Sequence, residues 1–327
     1  MLSTFCKVRY RQLPGWGRVL VWSSFSCLSV LGLLGAAYGT LGVYVVVSCG
    51  PLAQLQREAA LAPGRGSAPP LQLRPALPSA APWPLIIGHS GSTYWCQRNT
   101  LGCLSRSLAL GATMLEVDVR LSADGHLVAF HDAEVDQQTN GSGAVQHMTR
   151  AQLLALHLKR VVTPSAVEAD EPPQDQRIAL LDEIRQAFPE TPLLLDIKTH
   201  EPPMDTALMA FVQRFEGADF SRIYIKTRSQ QLANRLRRLP QPPKTGLTLC
   251  ERVAFVAFPG LVTSPPGLLD LPLWLVSPAL LQRATAAGHL VVVSLVNETQ
   301  DWRKVLTLPG VFGVVTDRPE AAFPQQP

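Results

Sequence analysis

At 327 residues the chain can hold one large domain or two small ones, and 46% hydrophobic against 17% charged residues fits a folded chain. A formal charge of +4, spread along the sequence, is too small to argue for nucleic acid, so no nucleic-acid partner is expected. The six cysteines include no C-x-x-C, which argues against a zinc site.

Residues 1–18 carry Lys7, Arg9, Arg11 and Arg18 and no acidic residue. Residues 19–48 carry no charged side chain at all, and about 20 apolar residues span a bilayer. The basic flank keeps the N-terminus cytoplasmic and sends the rest across, so the chain reads as a single-pass membrane protein with a lumenal or extracellular domain. The rival is a cleaved signal peptide, and Val46-Val47-Ser48-Cys49 resembles a lipoprotein cleavage box. A secretory apolar core of about 7–15 residues is half this length, which favours an uncleaved transmembrane helix. Residues 49–83, rich in Pro, Ala and Leu, read as a linker. Beyond it Cys96 and Cys103 can pair if the compartment is oxidising. Asn140-Gly141-Ser142 and Asn297-Glu298-Thr299 are glycosylation triplets on the side placed outside the cytosol, which makes Asn140 and Asn297 candidates.

From residue 84 to 327, strand-like runs alternate with helical patterns. Strands are expected at 85–90, 113–121, 193–198, 222–227, 246–250, 274–277, 290–296 and 312–316. Helices are expected at 99–110, 180–187, 205–214, 230–238, 278–287 and 300–307, the fifth opening on Ser277-Pro278 and closing on Gly288. Eight β/α alternations over about 240 residues match a TIM barrel of class α/β. A doubly wound open sheet is the alternative, and no G-x-G-x-x-G follows the first strand to support it.

The stretch from Thr113 to Asp132 concentrates chemistry. Glu116 and Asp118, two apart in a strand, share a face. A hairpin turning at Ala123-Asp124 would place Leu121 opposite His126, Val119 opposite Val128, and Glu116 opposite His131. His89 ends the first strand, and Asp196 and Lys198 share a face of an otherwise apolar one. Barrel residues that act sit at the C-terminal ends of strands. Three carboxylates around one point repel unless a cation intervenes, and oxygen-only ligands suit Mg²⁺ or Ca²⁺.

The motifs Gly88-His89-x-Gly91, Asn99-Thr100 and Leu195-Asp196-Ile197-Lys198 flank a longer one, E-x-D-V-x-x-x-x-D-G-x-x-V-x-x-H-D, from Glu116 to Asp132. Gly141 to Thr149 and Val314 to Pro319 add G-S-G-x-V-x-x-M-T and V-V-T-D-R-P. Together they resemble the glycerophosphodiester phosphodiesterase family from about Pro84 to the end. The anchor, the length and Asp at position 196 are similar to its small single-anchor animal members. The resemblance implies a barrel with an insertion after the second strand, here about 123–173. It implies a divalent cation on Glu116, Asp118 and Asp196, His89 and His131 as the acid–base pair, and Lys198 on phosphate. The implied activity is hydrolysis of glycerophosphodiesters, or lysophospholipid-like diesters, to an alcohol and glycerol phosphate. The sequence departs from the family's H-R-G and P-E-N-T: Ser90 stands for the arginine, and Arg98 for the glutamate. Ser90 and Arg98 are therefore expected at the phosphate or substrate, with Arg98 compensating for the displaced guanidinium. The alternative is a catalytically impaired barrel serving as a membrane-anchored binding or regulatory module. A third reading is a phospholipase D-like variant acting on a lipid amide or sphingolipid.

Overall fold

The computed structural model describes residues 84–159, 177–198, 202–213, 221–257 and 264–323. The chain divides into two compact units, Met1–Ala68 and Pro69–Pro327, and every described residue belongs to the second. The expected anchor at 19–48, the linker at 49–83 and the later part of the insertion lie outside the described residues. No helix among the described residues is long and apolar enough to cross a membrane.

Eight parallel strands form the frame: β1 (Leu85–Gly88), β2 (Met114–Leu121), β5 (Leu193–Ile197), β6 (Ile223–Thr227), β7 (Lys244–Thr245), β8 (Leu268–Pro272), β9 (Leu290–Ser294) and β10 (Val311–Thr316). They pair in the order β7-β6-β5-β2-β1-β10-β9-β8. A parallel bridge from Gly246, just past β7, to Leu268 joins the two ends of that order. The sheet therefore closes on itself, as expected for a TIM barrel. Helices on the outside include α1 (Leu101–Ala109), α3 (Leu181–Ala187), α4 (Pro202–Gln213), α5 (Gln230–Arg237), α6 (Leu249–Ala257), α7 (Pro278–Ala286) and α8 (Thr299–Leu306).

The two-residue period of a strand sorts the side chains. On β5, Leu193, Leu195 and Ile197 pack outward with Leu208 and Phe211 of α4, while Leu194 turns inward. The inner apolar layer joins Leu194 to Ile87, Met114, Tyr224, Leu268, Val292 and Phe312. Two residues further along the same faces come His89, Glu116, Asp196, Lys226, Asp270 and Ser294. An apolar floor thus carries a polar layer nearer the C-terminal mouth, and the alternation of the chain itself lifts the charges there.

Two expected strands lie elsewhere. Residues 246–250 do not form one: β7 ends at Thr245, and α6 begins at Leu249. Glu251 accepts the Thr248 N–H at 2.8 Å, a helix-opening bond that sequence periodicity alone does not reveal. Nor do 274–277, because β8 runs from Leu268 to Pro272, and Pro272 cannot continue a ladder. Leu273–Leu275 is a single 3₁₀ turn that leaves Trp274 80% exposed. Ser277 then caps α7 through the Leu280 N–H, with Pro278 in the first turn, as expected.

The hairpin also differs. β3 (Leu127–Ala129) pairs with β2 as Leu121↔Leu127, Arg120↔Val128 and Val119↔Ala129. The turn is longer than two residues: Ser122 Oγ accepts the His126 N–H at 2.8 Å, and Gly125 takes φ 83°. The register is displaced by one residue, which exchanges the faces of every side chain on β3. The expected Glu116–His131 pairing is therefore not made. β4 (Ala179–Leu180) extends this ribbon, and Val128, Phe130, Val135, Val145, Leu153 and Ile178 give the insertion its own small core. The insertion also contains α2 (Arg150–Leu154), capped by Thr149.

Candidate active site

Glu116, Asp118 and Asp196 converge at the barrel mouth, with one carboxylate oxygen of each within 4.8 Å of the others. Register does this, since Asp118 pairs directly with Asp196 across β2 and β5. Glu116 and Asp118 are buried. Burial, and then the neighbouring Asp118 charge, push the Glu116 carboxyl well above its ordinary value. Burial also acts to raise Asp118, but Lys198, Asn99 and Ser90 outweigh it and hold that carboxyl low. Lys198 Nζ lies 2.9 Å from both Asp118 Oδ1 and Asp196 Oδ2. All donors are oxygen and negative charge is crowded, so these residues fit a hard divalent cation.

Ser90 and Asn99 brace the cluster. Both have left-handed backbone, at φ 49° and 60°. In that conformation the Ser90 N–H donates to Glu116 Oε2 at 2.8 Å, and its hydroxyl donates to Asp118 Oδ2 at 2.6 Å. The Ser90 hydroxyl is thus turned onto the carboxylates. Asn99 Nδ2 donates to Asp118 Oδ2 at 2.8 Å while its Oδ1 accepts the Asp118 N–H at 3.0 Å. Cys96 and Cys103 form a disulfide that closes the loop carrying Asn99.

His89 Nδ1 bonds Asp317 Oδ1 at 2.7 Å, and Thr93 and Asn297 donate to the same carboxylate. Burial lowers the His89 pKa, but Asp317, Glu116 and Asp118 more than offset it and raise it overall. Burial raises Asp317 in turn, and the bonds from His89 and its neighbours overcome that and hold it at about 2. Asn297 was a glycosylation candidate, yet its amide nitrogen is committed to Asp317 at 2.8 Å, which argues against a glycan there. Asn140 is exposed.

His131 Nδ1 bonds Asp132 Oδ1 at 2.7 Å, and its backbone oxygen accepts the Arg120 guanidinium. Arg98 does not reach the carboxylate cluster; it lines a separate cavity beside Asp132. The cluster also includes two residues that sequence reasoning missed. Lys226 on β6 lies 3.6 Å from Asp196 and 2.7 Å from Asp270 on β8, and the Ser294 hydroxyl bonds Asp270. Each is a charge inside an apolar run, the same signal that singled out Asp196. Asp317, in V-V-T-D-R-P, follows the last strand, and its position in the sequence carries no sign that it orients His89.

The chain matches the model of the glycerophosphoryl diester phosphodiesterase family over residues 88–321. A glycerophosphodiester phosphodiesterase of Caldanaerobacter subterraneus is 24% identical over 245 residues, covering 72% of this chain and 95% of that protein. The mouse lysophospholipase D GDPD1 is 24% identical over 265 residues, covering 71% and 83%. An Oleispira antarctica phosphodiesterase, solved with sn-glycerol-3-phosphate, shares the fold at TM-score 0.57 and 20% identity, over 73% of this chain and 95% of its own. With the family model spanning most of the chain and the barrel closed around the motif residues, this protein belongs to the glycerophosphoryl diester phosphodiesterase family.

Proposed function

We propose that this protein is a divalent-cation-dependent phosphodiesterase that hydrolyses glycerophosphodiesters to an alcohol and glycerol phosphate. The convergence of Glu116, Asp118 and Asp196 beside Lys198 carries this reading. Mg²⁺ or Ca²⁺ held by these carboxylates would supply Lewis-acid polarisation of a phosphoryl oxygen. Lys198 sits where it can offset charge that builds on phosphorus during attack. His89, oriented by Asp317, and His131, oriented by Asp132, each keep Nε2 available for a proton. One takes the proton of the attacking oxygen as its bond to phosphorus forms. The other gives a proton to the departing alcohol as its bond breaks.

Lysophospholipid-like diesters extend the substrate class, and the activity named for the mouse relative supports that extension. The uncharged run at 19–48 behind a basic N-terminus supports a single membrane anchor with the catalytic domain lumenal or extracellular. The Cys96–Cys103 disulfide supports an oxidising compartment. An impaired enzyme is the second reading, favoured by Ser90: its hydroxyl serves the carboxylates, and no guanidinium stands at that position. Incubating the full chain in detergent micelles with glycerophosphodiesters, with Mg²⁺ or Ca²⁺ and then with chelator, separates the two. Cation-dependent release of glycerol phosphate is expected. Thermal stabilisation by cation without turnover of any headgroup would leave the impaired reading.

A further inference from the structure

Between the disulfide-closed loop and the insertion lies a cavity of about 450 Å³, outside the carboxylate cluster. Its wall connects to both histidines. Thr93 donates its hydroxyl to Asp317, the carboxylate that orients His89. Asp132 orients His131. A chain of amides fixes the polar side of the wall: Gln97 Nε2 donates to Gln138 Oε1 at 3.2 Å, and Gln138 Nε2 to Asp132 Oδ2 at 2.6 Å. Both Asp132 oxygens are thereby engaged.

The cations are less occupied. Arg98, half-buried on the wall, is close enough for its charge to help lower the Asp132 carboxyl, but it makes no hydrogen bond or ion pair with the described residues, and a guanidinium offers five donors in a planar fork. Lys159 Nζ donates once, to the Asp136 carbonyl at 2.6 Å, and keeps two donors. No aromatic ring lines the cavity among the described residues, so nothing there would favour a quaternary ammonium by cation–π contact.

We propose that this cavity receives the departing alcohol of the diester, and that Arg98 with Lys159 selects alcohols bearing an anionic group, a carboxylate or a second phosphate. The proposal rests on the phosphodiesterase reading and adds a substrate class to it. It also moves Arg98 away from the scissile phosphate, where the sequence alone had placed it.

Glycerophosphoserine and glycerophosphoethanolamine differ by one carboxylate, and glycerophosphoglycerol phosphate supplies the second phosphate. The full chain in detergent micelles with divalent cation is expected to prefer glycerophosphoserine over glycerophosphoethanolamine at least tenfold in kcat/KM, chiefly through KM. Arg98→Gln should collapse that ratio about tenfold, and Lys159→Gln less, with thermal unfolding confirming that both variants fold. Comparing the serine and glycerol phosphate arms tells which anion is selected. An equal loss for every headgroup would return Arg98 to the scissile phosphate and overturn the proposal, as would the absence of any preference. A second measurement separates this idea from the activity it rests on: calorimetric binding, with divalent cation present, of phosphoserine and phosphoethanolamine, monoesters that offer no diester bond to cleave. Tighter phosphoserine binding, equalised by Arg98→Gln, supports the subsite even if no diester is turned over. Equal binding of the two by the wild-type chain refutes it.

Discussion

Replacing Lys226 with Met tests whether the polar layer of the barrel is held by its second ammonium. The substitution keeps the stem and removes the charge that lies 2.7 Å from Asp270 and 3.6 Å from Asp196. Asp196 retains Lys198, whereas Asp270 is left with the Ser294 hydroxyl and the weaker influence of the Arg252 charge. Removing one partner of a buried pair costs about 3–5 kcal/mol. The two side chains are 23% and 14% exposed, so the lower end, about 3 kcal/mol, applies. At about 2–4 °C per kcal/mol for a domain of this size, the melting temperature should fall by about 6–12 °C. Thermal unfolding of Lys226→Met, Asp270→Leu and the double variant gives a complete cycle. The double variant should recover at least about 1 kcal/mol of the summed single losses, because it leaves no buried charge unpaired. Strictly additive losses would show that the two side chains do not act as a pair.

Other perturbations reach neighbouring features. The Asp317 carboxyl is lowered from 3.8 to about 2 in the folded protein. It therefore contributes stability above pH ~4 that is lost as pH falls through ~2, worth about 2 kcal/mol. Asp317→Asn should flatten the unfolding profile across that window, and an unchanged slope would refute the assignment. Replacing both Cys96 and Cys103 by Ser opens a short loop, for which the chain-entropy relation gives about 2.5 kcal/mol. The same variant should weaken divalent-cation binding in calorimetry, because that loop carries Asn99 against Asp118; unchanged affinity would show that the two are independent. Asn99→Ala removes two hydrogen bonds and places a Cβ residue without polar compensation at φ 60°, so about 2–3 kcal/mol should be lost. Asn99→Gly relieves the backbone and not the bonds, and its matching wild-type stability would remove the bracing role.

The barrel rhythm was legible because each inward-facing strand residue alternates with one packed on a helix, as in Leu193–Ile197. It failed where other forces set the boundary. Thr248 and Glu251 open α6 inside an apolar stretch that suggests a strand, and Pro272 hides β8 in a proline-flanked run that resembles a loop. Glu116, Asp118 and Asp196 could be read because charges in apolar strands are costly without a purpose. Lys226 and Asp270 obeyed the same rule, but Lys226 is followed at spacing two by the like charge Arg228 rather than by a compensating carboxylate, and no charge stands two residues from Asp270. Hairpin register depended on the Ser122–His126 turn, and a one-residue difference there was enough to part His131 from Glu116. The cavity beside Arg98 joins residues from two separate segments, and spacing along the chain carries no trace of it.

The rim carries carboxylates on β2, β5 and β8 and ammonium groups on β6 and just beyond β5. Glu116 and Asp118 on β2 meet Lys198 and Asp196 beyond and on β5, then Lys226 on β6 and Asp270 on β8. Counted in their charged forms, four carboxylates face two ammonium groups, an excess of two negative charges that burial partly relieves by pushing the Glu116 carboxyl up. A phosphodiester is itself an anion and would meet a repulsive field there. A single divalent cation would offset that excess, and on the proposed reading this favours an order of arrival: cation first, diester second. On the phosphodiesterase reading proposed above, the barrel mouth would in this sense be a charge-operated gate, opened to an anionic diester by the cation it binds.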